Sequence, residues 1–157
     1  MGRKVQANML QRFLRNEVFG QFKEKLKLSG DVLAAIFLGT ITKWNDPKIA
    51  ADNAGGQLPA EDIVSVHRSD GSGTSFVFTD YLSNVSPEWR SAIGVSKAPK
   101  WPVGQGGNGN AGVTNAVKQT ANSIGYVELN YALTNKLPFA DMKNRAGKFV
   151  TPSTEST

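Results

Sequence analysis

The sequence contains no cysteine and a single histidine, His67. The first absence excludes disulfides, thiolate metal sites and a cysteine nucleophile. The second excludes a multi-histidine metal centre. No apolar run approaches the roughly 20 residues that a membrane-spanning helix needs. The N-terminus carries basic residues but no uninterrupted apolar stretch and no small-residue cleavage site, so no secretory signal is read there. The net charge of +5 comes entirely from residues 1–27, where Arg3, Lys4, Arg12, Arg15, Lys23, Lys25 and Lys27 outnumber Glu17 and Glu24. Residues 28–157 hold eleven basic and eleven acidic side chains. A neutral domain behind a basic arm argues against nucleic acid as a partner.

What is present suits one domain with a core: 157 residues, 39% hydrophobic and 20% charged. Residues 3–26 place Val5, Met9, Leu10, Phe13, Leu14, Val18, Phe19, Phe22 and Leu26 at helical spacing, with basic residues on the other side. The spacing predicts a helical arm over residues 1–27, interrupted at Gly20, that packs on its own domain or on a second copy. Ser29-Gly30-Asp31 reads as a cap before a helix carrying Val32, Leu33, Ile36 and Phe37, closed by Gly39. Pro47 suits the start of a short helix, and Ser86-Pro87-Glu88 suits another. Ile63–Val66 and Ser123–Glu128 read as core strands, Leu129–Asn135 as a helical turn, and Lys148-Phe149-Val150 as an edge strand. Gly104–Asn110 reads as a loop with Asn110 capping the helix that follows, whose face is Val113, Ala116 and Val117. Helices alternating with isolated strands predict an α/β fold, a small mixed sheet flanked by helices.

The most informative segment is His67-Arg68-Ser69-Asp70-Gly71-Ser72-Gly73-Thr74. It lies between a predicted strand and a predicted helix. A Gly/Ser turn at a helix start presents backbone N–H groups beside the positive end of the helix dipole. Arg68 adds a planar fork that matches a tetrahedral oxyanion. The segment reads as an anion site, with phosphate the first candidate. His67 and Ser72 together allow a second reading, a nucleophilic esterase or phosphatase, although Gly71-Ser72-Gly73 lacks the G-x-S-x-G spacing. A third reading is a self-associating module with a vestigial anion site. Gly104-x-Gly106-Gly107 lacks dinucleotide-loop spacing and no Gly-Lys-Ser/Thr follows, so no cofactor is expected.

Several stretches in order resemble one family. They are Ile36–Gly39 with Ile41–Pro47, His67–Thr74, Tyr81-Leu82, Ser86–Trp89, Trp101–Gly104, Gly109-Asn110, Ile124–Glu128 and Asn144–Pro152. Residues 28–152 thereby resemble the second lobe of the phosphate-binding proteins of bacterial high-affinity phosphate ABC transporters. The resemblance implies one lobe of a periplasmic-binding-protein-like fold. It implies that Arg68, Ser72, Gly73 and Thr74 contact phosphate, that Asp70 orients Arg68, and that there is no catalytic residue. It also implies a periplasmic or cell-surface setting and a transporter permease as partner. The arm 1–27 and the tail 153–157 fall outside it. The first lobe's ligands do not match any part of this sequence, which predicts weak phosphate binding by a monomer, recovered in part if the arm or a second copy covers the cleft.

Overall fold

A computed structural model describes residues 8–12, 26–53, 58–127, 141–143 and 149–150. The strands in chain order are β1 (Asn8–Arg12), β2 (Lys27–Leu28), β3 (Val64–Arg68), β4 (Gln105–Gly107), β5 (Ser123–Val127), β6 (Asp141–Lys143) and β7 (Phe149–Val150). The helices are α1 (Gly30–Leu38), α2 (Pro47–Asp52), α3 (Gly73–Val85), α4 (Pro87–Ala92) and α5 (Gly109–Gln119).

The helix starts follow local rules. Asp46 caps α2 by accepting from Lys48 N–H, with Pro47 in the first turn, and Ser86 caps α4 by accepting from Trp89 N–H. Gly39 closes α1 at φ 85, a left-handed conformation that glycine adopts without a Cβ clash. Ser29 occupies the cap position of α1, but its hydroxyl donates instead to Asp52 Oδ2 at 2.9 Å, tying α1 to α2.

The main sheet has the order β1-β5-β3-β4. β3 runs parallel to both β4 and β5, whereas β1 pairs antiparallel with β5, Leu10 opposite Gly125. A second sheet has the order β2-β6-β7, with β7 at its edge as the sequence predicts. β5 is buried along its whole length, and its alternation feeds two clusters. Ile124 and Tyr126 join Phe37, Trp44, Phe78, Leu82 and Trp89, while Val127 joins Val66, Val113 and Val117. Helices therefore cover both faces of the strand that carries the core. Trp44 and Trp89 are fully buried with their indole N–H groups donated to Asn122 O and Gly94 O. The α/β class and the small sheet flanked by helices stand as predicted.

Three local expectations are corrected. Residues 8–12 form a strand rather than part of a helical arm. β5 would otherwise end the sheet with a row of unpaired backbone groups, and satisfying that edge outweighs a local helical spacing. At the other end of the arm Leu26 is buried in the core and Lys27 begins β2, not a helix; residues 1–7 and 13–25 of the arm, the helical turn at Leu129–Asn135 and the tail 153–157 lie outside the described residues. Gln105–Gly107 is a strand, not loop, because β3 offers a parallel edge beside it. Finally, Asn108 rather than Asn110 is the N-cap of α5.

Candidate anion-binding site

The site begins at the end of β3 and finishes in the first turn of α3. Ser72 is the N-cap of α3: its Oγ accepts from Ser75 N–H at 2.9 Å and its carbonyl accepts from Phe76 N–H at 3.1 Å. A hydroxyl that accepts in this way still has its own proton to donate. Ser72 N–H donates to Lys97 O at 2.9 Å, which holds the turn against the loop behind it. Gly73 heads the helix, and among the described residues its N–H has no protein acceptor. Thr74 follows, half-buried, in the same turn.

Arg68 and Asp70 form a two-pronged pair. Arg68 Nε donates to Asp70 Oδ1 at 2.8 Å and Nη2 donates to Oδ2 at 2.7 Å. The Arg68 side chain is 10% exposed and that of Asp70 35%. A fork held on one edge by a carboxylate keeps a fixed plane, so less side-chain freedom is lost when the other edge meets an oxyanion. Asp70 Oδ1 also accepts from Gly109 N–H at 3.0 Å, the first residue of α5. The head of a second helix is thus drawn to the same carboxylate. Arg68 Nη1 lies 3.4 Å from Asn110 Oδ1, so Asn110 faces the guanidinium instead of capping its helix.

The hydrogen bonds from Arg68, and then the one from Gly109 N–H, hold the Asp70 carboxyl well below the usual carboxylate range. A carboxylate whose pKa is lower in the fold than its unfolded value near 3.8 adds stability above that value. The contribution is lost as pH falls below it toward the folded pKa. Asp70→Asn is therefore expected to flatten the acid limb of the stability profile. Urea unfolding between about pH 5 and pH 2.5 measures this, and equal slopes for the variant and the parent would show that the pair contributes nothing.

Beneath the turn, Arg68 N–H donates to Tyr126 Oη at 3.1 Å, and Tyr126 Oη pairs with Ser75 Oγ. Tyr126 is fully buried, which pushes its phenol pKa up, and its ring stacks on Phe78 with centroids 4.3 Å apart. One hydroxyl thus links β5, β3 and α3 under Arg68 and Ser72. Tyr126→Phe strands the part-buried Arg68 N–H and the buried Ser75 hydroxyl, and is expected to cost about 1–3 kcal/mol in urea unfolding.

His67 is placed apart from this network. Its ring stacks on Trp101, centroids 4.8 Å apart at 9°, and its Nδ1 lies 3.2 Å from Arg68 O. Burial pushes its imidazole pKa below the ordinary 6.5, which disfavours the charged form. Among the described residues no hydrogen bond joins His67 to Ser72, whose Oγ is engaged in capping. The nucleophile and base of the hydrolase reading are not assembled.

The structure brings Arg68, Asp70, Ser72 and Gly73 into one turn. Sequence reasoning missed Tyr126 and the Gly109 N–H, and gave Asn110 a different task. Gly109-Asn110 at a predicted helix start was the available signal for the second of these. Nothing local in Ile124–Val127 marks Tyr126, because its role depends on which strand lies alongside.

The phosphate-binding protein PstS of Pasteurella multocida is 58% identical over 132 residues, covering 84% of this chain and 38% of the relative. The phosphate-binding protein PstS of Haemophilus influenzae is 54% identical over 132 residues, covering 84% of this chain and 40% of the relative. The chain thus spans about two fifths of the length of these curated relatives. Among solved structures, a phosphate-binding protein from Stenotrophomonas maltophilia shares the fold with a TM-score of 0.63 at 20% identity, over 89% of this chain and 39% of that one. The profile of the PBP superfamily domain matches residues 14–157, so it takes in the second half of the arm that the sequence reading left outside. By that match over most of its length, this chain belongs to the PBP superfamily domain family.

Proposed function

We propose that this chain binds inorganic phosphate, without chemistry, as part of a solute-binding protein that serves phosphate ABC transport. The observation that carries the reading is the Arg68 fork, fixed by Asp70 beside the Ser72-capped N-terminus of α3. Arg68 supplies charge and two directed donors, Ser72 supplies an O–H, and Gly73 supplies a backbone N–H that no Cβ shields. Thr74 adds a hydroxyl from the same turn. Asp70 faces the guanidinium rather than the anion, which limits its repulsion of a dianion. Relatives named as phosphate-binding proteins support phosphate over other tetrahedral anions. The same kinship supports a periplasmic or cell-surface setting and a membrane permease as the partner that receives the ion. A second copy of the chain stands as a further partner, through the arm or through the exposed lobe face.

Titration of the full chain with phosphate, read by calorimetry and by amide NMR, tests the proposal. Saturable heat is expected, with the Gly73 and Thr74 amides and the Arg68 Nε–H signal shifting together. Equal titration with chloride should move none of them. Phosphate that gives neither heat nor shifts at this turn would refute the reading.

A further inference from the structure

Asn108-Gly109 is the one Asn-Gly step in the sequence, and it stands at the head of α5. The dipeptide carries chemistry of its own. A carboxamide carbon is electrophilic, and the backbone nitrogen of the next residue is a nucleophile once it gives up its proton. A glycine at that position has no side chain to crowd the nitrogen. Asn108 is exposed, and although it holds the N-cap position its carboxamide makes no capping bond. Two features oppose the reaction in the fold. Gly109 N–H is donated to Asp70 Oδ1 at 3.0 Å, so the proton that must leave is held. Asn108 has ψ 117, which turns the Gly109 nitrogen away from the Asn108 side chain. Ring closure needs that bond to rotate, and the rotation carries Gly109 N–H off Asp70. Asp70 is also a poor base for the step, because Arg68 and Gly109 hold its carboxyl well below the usual range. Asp70-Gly71, the one Asp-Gly step, is no rival: an ionised carboxylate with both oxygens engaged by Arg68 is a poor electrophile.

We propose that Asn108 is a modification site, converted spontaneously to aspartate or isoaspartate when Gly109 N–H leaves Asp70, and that the conversion disables the anion turn. The effect on the turn rests on the phosphate reading; the conversion itself does not. Gly109 N gives its proton to hydroxide and attacks Asn108 Cγ. The bond from Cγ to the amide nitrogen breaks, ammonia leaves with a proton taken from water, and hydroxide is regenerated. A succinimide ring remains, in which Gly109 has no N–H to offer Asp70. Water then opens the ring. Opening at Cγ leaves aspartate in the chain, and opening at the backbone carbonyl leaves isoaspartate, whose chain runs through the side-chain carbons. The balance is one water in and one ammonia out, with no oxidant or reductant. Either product brings a new carboxylate to the residue beside Gly109, near the Arg68–Asp70 pair, where it competes for the guanidinium and repels a dianion. Isoaspartate also lengthens the backbone before Gly109 and shifts its N–H from Asp70.

The test is ageing of the full chain in mildly alkaline buffer without phosphate, read by peptide mass spectrometry and by isoaspartyl methyltransferase labelling. Conversion at Asn108 is expected to be about tenfold or more slower in the folded parent than in the same chain in urea, and Asp70→Ala should recover much of that difference. Asp70→Glu keeps a carboxylate for Arg68 but moves it relative to Gly109 N–H, and it makes the same comparison if the alanine variant does not melt cooperatively. Equal rates for a folded Asp70 variant and the parent overturn the guard. Faster conversion at any other asparagine overturns Asn108 as the site. The converted fraction, separated by ion exchange, is expected to bind inorganic phosphate about tenfold more weakly than fresh protein in calorimetry. Asn108→Asp reproduces one product without ageing and should show a loss of the same direction, whereas Asn108→Ser should keep through ageing the affinity it starts with. A converted fraction that binds phosphate as fresh protein does overturns the link to the anion turn. Fresh protein that binds no phosphate removes the phosphate reading, while conversion at Asn108, read by mass, still stands or falls by itself.

Discussion

Arg68→Ala is expected to weaken phosphate binding by about 10²- to 10⁴-fold. Two effects act in the same direction. The variant loses the donors on the outer edge of the guanidinium, at about 1.5–3 kcal/mol for each charge-assisted bond. It also exposes the Asp70 carboxylate, now without its two-pronged partner, to an incoming dianion. Arg68→Lys separates the two. Lysine restores the positive charge, but it is a point charge and cannot hold Asp70 and an oxyanion on opposite edges of one plane. Its phosphate affinity should fall between the other two. Calorimetry on the three proteins checks the order. Equal affinity for Arg68→Ala and the parent would remove Arg68 from the site, whereas equal affinity for Arg68→Lys would make charge alone sufficient.

The parts of this site that are legible in the sequence are those built from neighbours in the chain. Ser72 lies three residues before Ser75 and caps it, as Ser86 caps Trp89 and Asp46 caps the helix opened by Pro47. Arg68 and Asp70 are two apart, and their bidentate geometry needs little more than the turn between them. What was not legible depends on which backbone lies alongside which. Tyr126 is 58 residues from Arg68 and reaches it because β3 and β5 are adjacent and parallel. Gly109 is 39 residues from Asp70 and reaches it because β4 delivers α5 to that side. The strand identity of Asn8–Arg12 has the same origin. A segment with helical spacing becomes a strand when a buried strand beside it has an edge to satisfy. Local chemistry set the donors, and sheet register set what holds them.

Gly107→Ala tests that division, and a large loss of stability is expected from it. A Cβ at Gly107 would lie 2.7 Å from Gly112 C and Val113 N and 2.8 Å from Gly112 O, all backbone atoms of α5. No side chain can rotate aside to make room, so strand and helix must separate. Overpacking of this kind costs about 1–3 kcal/mol or somewhat more, or roughly 2–12 °C in melting temperature for a chain of this size. The consequence reaches the anion site by two bonds. Gly107 O accepts from Ser69 N–H at 3.0 Å, and α5 supplies the Gly109 N–H that holds Asp70. Phosphate affinity should therefore fall together with stability, although no ligand-contacting group has been changed. Gly73→Ala is the control for stability, since its methyl group meets no protein atom within 4 Å and should leave the melting temperature near that of the parent. Gly112→Ala approaches the same contact from the helix side, but its nearest atom is Gly107 C at 3.0 Å, so it should be milder. Melting curves for the three variants, each with and without phosphate, give the ranking. If Gly107→Ala melts like the parent, the close packing of β4 on α5 does not set the position of Gly109. If it destabilises the chain without weakening phosphate, the path from β4 through α5 to Asp70 carries no part of the site's geometry.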